Sequence, residues 1–212
     1  MKTDELIALL GQDLKPARKG MVPRWLAPAL AAGLLISLLM MLAMLGTRAD
    51  LYQAMRLNAF WMKFFYTLSL AILGLILIER QARAGADSRA VFFALGAPVA
   101  AMTVLASAQL SQAHGDTAGL VMGRTWMVCP WLIALLSLPP LALLLAALRR
   151  LAPTRLTLAG SAAGLVAGAG AATVYGFHCT EMAAPFILIW YTLGIGLAAG
   201  LGAMLGQRCL HW

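Results

Sequence analysis

Polar residues fall in short clusters along this chain, and between the clusters run six apolar stretches of about twenty residues each. They cover about 26–46, 60–78, 90–110, 126–148, 156–177 and 184–205. Each approaches the roughly 20 residues that carry a helix across about 30 Å of hydrocarbon. Backbone groups in lipid must find their hydrogen bonds within the segment, so the pattern predicts helices. The connections, about 6 to 15 residues long, leave no room for a folded soluble domain. The expectation is an all-α membrane protein: one six-helix transmembrane bundle over 26–212, preceded by a polar segment, 1–25.

That first segment has a pattern of its own. Thr3 can cap a helix whose first turn carries Asp4 and Glu5, where carboxylates favour the positive end of the helix dipole. Leu6, Ile7, Leu9, Leu10 and Leu14 then recur at helical spacing on one face, with Asp13 inside the stripe. Pro16 should end this short amphipathic helix, and Lys15, Arg18, Lys19 and Arg24 follow as a basic collar. Such a helix either seats its i, i+4 anchors in a partner's groove or lies flat on a lipid surface. In the last two apolar stretches small residues recur every fourth position: Gly160, Gly164 and Gly168, Gly196 with Gly200, Gly202 with Gly206. These are expected to be packing faces that let helices approach closely.

Composition supports lipid as the solvent: 62% of the 212 residues are hydrophobic and 11% charged, against about 25% charged in soluble domains. The net charge of +8 does not indicate nucleic acid, because the bases are scattered through the loops. Twelve of the 16 Lys and Arg fall on the side that holds both termini, and four (Arg48, Arg56, Lys63, Arg124) fall opposite. Cytoplasmic loops carry the excess of bases, so both termini are expected in the cytoplasm. The first 25 residues lack an apolar run ending in a small-residue cleavage site, so no cleavable signal is expected.

This orientation sorts the chemistry. Cys129, in the stretch WMVCPWLIALLSLPP, and Cys179, directly after His178, come to the same outer face from different helices. His114 lies in an outer loop, whereas Cys209 and His211 lie at the opposite end. Eight of the 12 methionines lie at or near the outer face. Thiolates, thioethers and imidazole suit soft cations such as copper, zinc or cadmium, and the outer side of a bacterial membrane is also the oxidising side. Cys129 and Cys179 therefore read as a redox pair, a metal site with His178, or a static staple, against the plainer reading of small apolar fillers. Methionines in such helices are usually packing, and His178 can simply bond to a neighbouring loop. Lys63, within NAFWMKFFY, reads as a snorkelling interfacial residue, with a buried functional charge as the lesser alternative. Pro139 and Pro140 lie about three turns inward of Cys129, where missing backbone bonds suggest a hinge. There is no P-loop, HExxH, GxSxG or carboxylate pair within an apolar stretch, and Glu181 and Asp116 read as isolated loop acids. An enzyme is not expected, nor an obligatory cofactor.

The N-terminal MKTDELIALLGQDLKPAR, the FWMKFFY stretch, the cysteine and proline pair of the fourth apolar segment, the PTR turn, the HC dipeptide and WYTLGIG follow in that order. In combination they resemble the NrsF-type anti-sigma factors over nearly the whole chain. The resemblance implies a six-span bacterial inner-membrane protein that holds an ECF-type sigma factor inactive at the cytoplasmic face. It implies association with heavy-metal or oxidative stress, two periplasmic cysteines involved in release, and no direct contact with nucleic acid. Carried over residue by residue, the cysteine pair falls on Cys129 and Cys179, and the sigma-binding segment on Asp4, Leu6, Leu10, Asp13, Leu14 and Arg18. The alternative function is a small membrane metal-binding or metal-export-related protein using the outer Cys, His and Met cluster.

Overall fold

Two glycine contacts show how closely the helices of this bundle approach. A Cβ on Gly160 would press into the carbonyl oxygen of Gly202, and one on Gly202 into that of Gly160. The computed structural model describes residues 21–81, 89–113, 115, 117–151, 153 and 155–210. Six of its helices are long and apolar enough to cross a membrane, which makes this a multi-pass membrane protein. They are α1 (Met21–Met44), α2 (Asn58–Gln81), α3 (Arg89–Gln112), α4 (Cys129–Arg149), α5 (Leu156–Tyr175) and α6 (Ala184–Cys209). Residues 1–20, with Asp4, Leu6, Leu10, Asp13, Leu14 and Arg18, lie outside the described residues, as do His114, Asp116 and His211.

α5 is the centre of the bundle. Its sequence is mostly Gly and Ala, and almost every residue from Ala159 to Tyr175 is buried. Small side chains on all sides let α6, α2, α4 and α1 pack against it at once, with α6 the most intimate neighbour. α3 is peripheral, touching α2 and the start of α6, and buries only Val91, Met102 and Ala106. Two hydroxyl bonds tie α2 inward: Thr173 Oγ1 donates to Thr67 Oγ1 at 2.8 Å, and Tyr66 Oη meets Thr192 Oγ1 at 2.6 Å.

Three helices differ from the sequence expectation. α1 begins at Met21, so Arg24 of the basic collar lies inside the helix. α4 begins at Cys129 with Pro130 in its first turn, which leaves Trp126 outside the helix. Proline is accepted there because the first N–H groups of a helix have no partner anyway. α6 contains one π-helical turn, Ile187–Tyr191, which no periodicity in the chain announced.

The proline pair does not break α4, which runs unbroken from Cys129 to Arg149. Pro140 is seated against Gly33 of α1, where an added Cβ would press into the proline Cα and lie 2.8 Å from its Cβ. Gly33→Ala is therefore expected to destabilise the bundle by about 2 kcal/mol, the order of an overpacked core. A lowered thermal midpoint of the detergent-solubilised protein is the measurement.

Candidate functional site

α4 and α5 bring the two cysteines together. Cys129 occupies the first position of α4, and Cys179 lies four residues beyond the end of α5. Both are free thiols and both are buried, at 0% and 2% exposure. The two thiols lie within electrostatic reach of one another and of the Tyr175 hydroxyl. Local backbone bonds explain the placement. Cys129 N–H donates to Thr125 O at 2.9 Å, and Cys179 N–H donates to Tyr175 O at 3.0 Å, continuing the last turn of α5.

Around the pair stands a shell that is more basic than acidic. Lys63, on α2, is 2% exposed. Its Nζ donates to the carbonyl of Cys179 at 2.9 Å and to that of Glu181 at 3.2 Å. It also lies 5.8 Å from the centroid of the Tyr191 ring. The reading of Lys63 as a snorkelling residue is thus overturned, because its stem points into the bundle and its ammonium ends on loop carbonyls. Arg48 donates to the same Cys179 carbonyl at 3.4 Å and forks onto Asp50 with two 2.7 Å bonds. That fork holds the Asp50 carboxyl below its ordinary range and raises the Arg48 guanidinium further. Cys179 is held below the ordinary thiol range, first by the neighbouring Cys129 thiol, with the Lys63 ammonium adding to it against the opposing effect of burial. Tyr191 is fully buried against the pair, and its hydroxyl makes no well-formed hydrogen bond.

The neighbouring loops close over this arrangement. Glu181, far from isolated, accepts the Arg124 backbone N–H at 2.8 Å. Gly123, in the left-handed region at φ 55°, leaves room for it, since a Cβ there would lie 2.8 Å from the Glu181 carboxylate. Gln109 Oε1 accepts the N–H of Ala184 at 2.8 Å, and Trp190 Nε1 donates to Val121 O at 2.9 Å.

Of the residues singled out as metal ligands, Cys129 and Cys179 meet and His178 does not join them. Its Nδ1 faces the Gly46 carbonyl at 3.0 Å and its ring lies beside Tyr175, the plain loop contact. Among the described residues no group of three or more His, Cys, Asp or Glu is placed to hold a metal ion. The methionines do not converge either: Met44, Met55, Met122 and Met127 are exposed, while Met41 packs into the core. Cys209 is exposed at the other end of the bundle. Sequence reasoning missed Tyr175, Tyr191 and Arg48, and misread Lys63. A signal for Lys63 was present: Lys63, Tyr66 and Thr67 share one helical face with Leu70, Gly74 and Leu77, so the polar side of this turn is also its buried side.

With this geometry in place, comparison with known proteins adds a family. A family model described as "Negative regulator of sigma F" (NrsF) matches residues 10–212. A protein of Azospira oryzae described as "Probable anti-sigma-F factor NrsF" is 42% identical over 213 residues, covering 100% of both chains. The "Anti-sigma-F factor NrsF" of Caulobacter vibrioides is 39% identical over 216 residues, again covering 100% of both. No solved structure matches the chain.

Proposed function

This chain belongs to the NrsF family of negative regulators of sigma F, and on that premise we propose that it is a membrane anti-sigma factor switched by Cys129 and Cys179. Its sigma factor is of the ECF type and is held at the cytoplasmic face by the amphipathic segment from Asp4 to Arg18. The bundle lies in the inner membrane with both termini cytoplasmic, as the twelve-to-four distribution of bases favours. The thiol pair then faces the periplasm, about 30 Å away, where heavy-metal or oxidative stress is met.

The observation that carries this reading is the meeting of a thiol at the start of α4 with one just beyond the end of α5, at the end of the bundle opposite the start of α1. Joining them ties the start of α4 to the end of α5. Disulfide closure is the better supported signal, because Lys63 and Arg48 bring positive charge to the pair and His178 is turned to Gly46. A soft cation such as cadmium, zinc or copper shared by the two sulfurs is the second reading, favoured by their adjacency. The export alternative gains no comparable observation, since the centre of the bundle is occupied by the buried, Gly- and Ala-rich helix α5.

Cys129→Ser and Cys179→Ser test the switch. Each is expected to keep sigma held while removing the response: a sigma-dependent reporter that rises about tenfold with oxidant or cadmium in the parent stays flat. An unchanged response in both variants would sink the proposal.

A further inference from the structure

Among the described residues, Lys63 is a buried cation whose hydrogen bonds at this site all go to backbone carbonyls. Among the described residues no carboxylate pairs with it: Asp50 is taken by Arg48, and the Glu181 carboxylate turns to the Arg124 N–H. Taking an ammonium out of water costs several kcal/mol unless dipoles replace the lost hydration. Here two carbonyls and the Tyr191 ring do so. The charge therefore depends on the placement of the backbone from Cys179 to Glu181, and Arg48 competes for one of the two carbonyls.

Lys63 also sits at the turn of α2 that is tied to α5 and α6 through Thr67 and Tyr66. Toward its other end α2 buries Gly74, Leu77 and Ile78 and is open on the side that faces α1. A cleft of about 450 Å³, open at the bundle surface, lies between Leu26, Leu30 and Leu34 of α1 and Ile72, Ile76 and Glu79 of α2. That cleft adjoins the start of α1, where the N-terminal segment joins the bundle. α2 is thus held by polar bonds at the thiol end, and toward its other end it borders open volume on the α1 side, near the start of α1.

We propose that Lys63 is the positioning residue that couples the thiol pair to α2, and through α2 to the N-terminal segment. The inference rests on the reading of the pair as a switch. In closure, the two thiols give two electrons and two protons to an oxidant and become one disulfide; a diazene such as diamide takes them up and becomes the hydrazine. The S–S bond is about 2.05 Å long and constrains the Cα separation, so the two free sulfurs must move closer and carry main chain with them. Movement of Cys179 draws its carbonyl off Lys63 and leaves the ammonium short of partners. Displacement of α2 relieves that deficit, and a helix of 24 residues carries the shift to Gln81 as a rigid rod.

Lys63→Met keeps the unbranched apolar stem and removes the charge and its donors, so it breaks the clamp without oxidation. The expected result is a sigma-dependent reporter that is on without oxidant, at about the induced level of the parent, in cells whose membranes hold the parental amount of protein. Diamide should still close Cys129 to Cys179 to the parental extent, read as loss of maleimide labelling, which shows that the pair and its surroundings remain folded. Adding Cys129→Ser and Cys179→Ser should not restore repression, which places Lys63 downstream of the thiols. Lys63→Arg, which retains a cation and its donors, should restore it. If the Met variant does not accumulate, Lys63→Gln carries the same comparison. Repression and induction as in the parent overturn the proposal, and so does equal derepression by Met and Arg together with loss of disulfide closure. An oxidant response that survives Cys129→Ser and Cys179→Ser overturns instead the reading of the pair on which the proposal rests.

Discussion

Gly202→Val is expected to leave almost no folded protein in the membrane. The first carbon of the new side chain would press into the Gly160 carbonyl oxygen and lie 2.9 Å from the Gly164 Cα. Both obstacles are backbone, so no rotamer change relieves them, and α5 and α6 must move apart along their closest contact. The same contact is reciprocal at Gly160, and at Gly206 an added Cβ would meet the Leu156 carbonyl at 2.6 Å. Helices in lipid associate through close packing, because lipid tails compete with side chains on equal terms, so there is little else to hold the pair. A loss of about 3 kcal/mol is a fair estimate for overpacking with no escape, enough to exhaust much of the stability of a marginal fold. Accumulation in membrane fractions and resistance to heating in detergent are the measurements. Gly196→Ala and Gly200→Ala are the controls. No atom lies within 4 Å of a Cβ at either position, and alanine favours a helix over glycine by about 1 kcal/mol. Both are expected to be neutral or stabilising. Losses like that of Gly202→Val would remove the packing argument.

Removing residues 1–20 is expected to abolish retention of the sigma factor and to leave the bundle intact. Leu6, Leu10 and Leu14 repeat at the spacing of anchors in a groove, and each such side chain is worth about 1.5–3 kcal/mol when buried. Loss of even two of them weakens binding by about a hundredfold or more. The bundle does not need them, because α1 from Leu26 onward packs on α4 and α5 through its own residues. Co-purification of the cognate sigma factor with the full-length and shortened proteins decides the matter, with thiol closure by diamide in the shortened protein as the check on its fold. Undiminished retention would remove the docking role.

Much of this architecture was legible in the order of residues. Six apolar runs of membrane-crossing length, bounded by charge, leave the backbone no alternative to helices, and the observed helices begin and end within a few residues of the runs. The approach of Cys129 and Cys179 was legible as well, because each ends a helix on the same side and successive helices alternate in direction. Lys63 shows where such reasoning stops. A lysine among aromatics near a helix end has the same local sequence whether it snorkels outward or bends inward. Which it does depends on the carbonyls of Cys179 and Glu181, 116 and 118 positions away.

The amino-acid sequence by itself determined that the chain carries six segments able to cross a membrane, that charge is unequal between the two sets of loops, and that two thiols share one end. These follow from segment length, hydropathy and alternation, which are local properties. Only the tertiary structure decided which glycines are contacts, since Gly196 with Gly200 and Gly202 with Gly206 share one spacing and yet the first pair faces open space. It likewise turned His178 to Gly46, seated Pro140 on Gly33, and placed the buried ammonium of Lys63 beneath the thiol pair. Each of these depends on which face of one helix meets which face of another. That choice is set by close packing among residues distant in the chain, to which no local pattern has access.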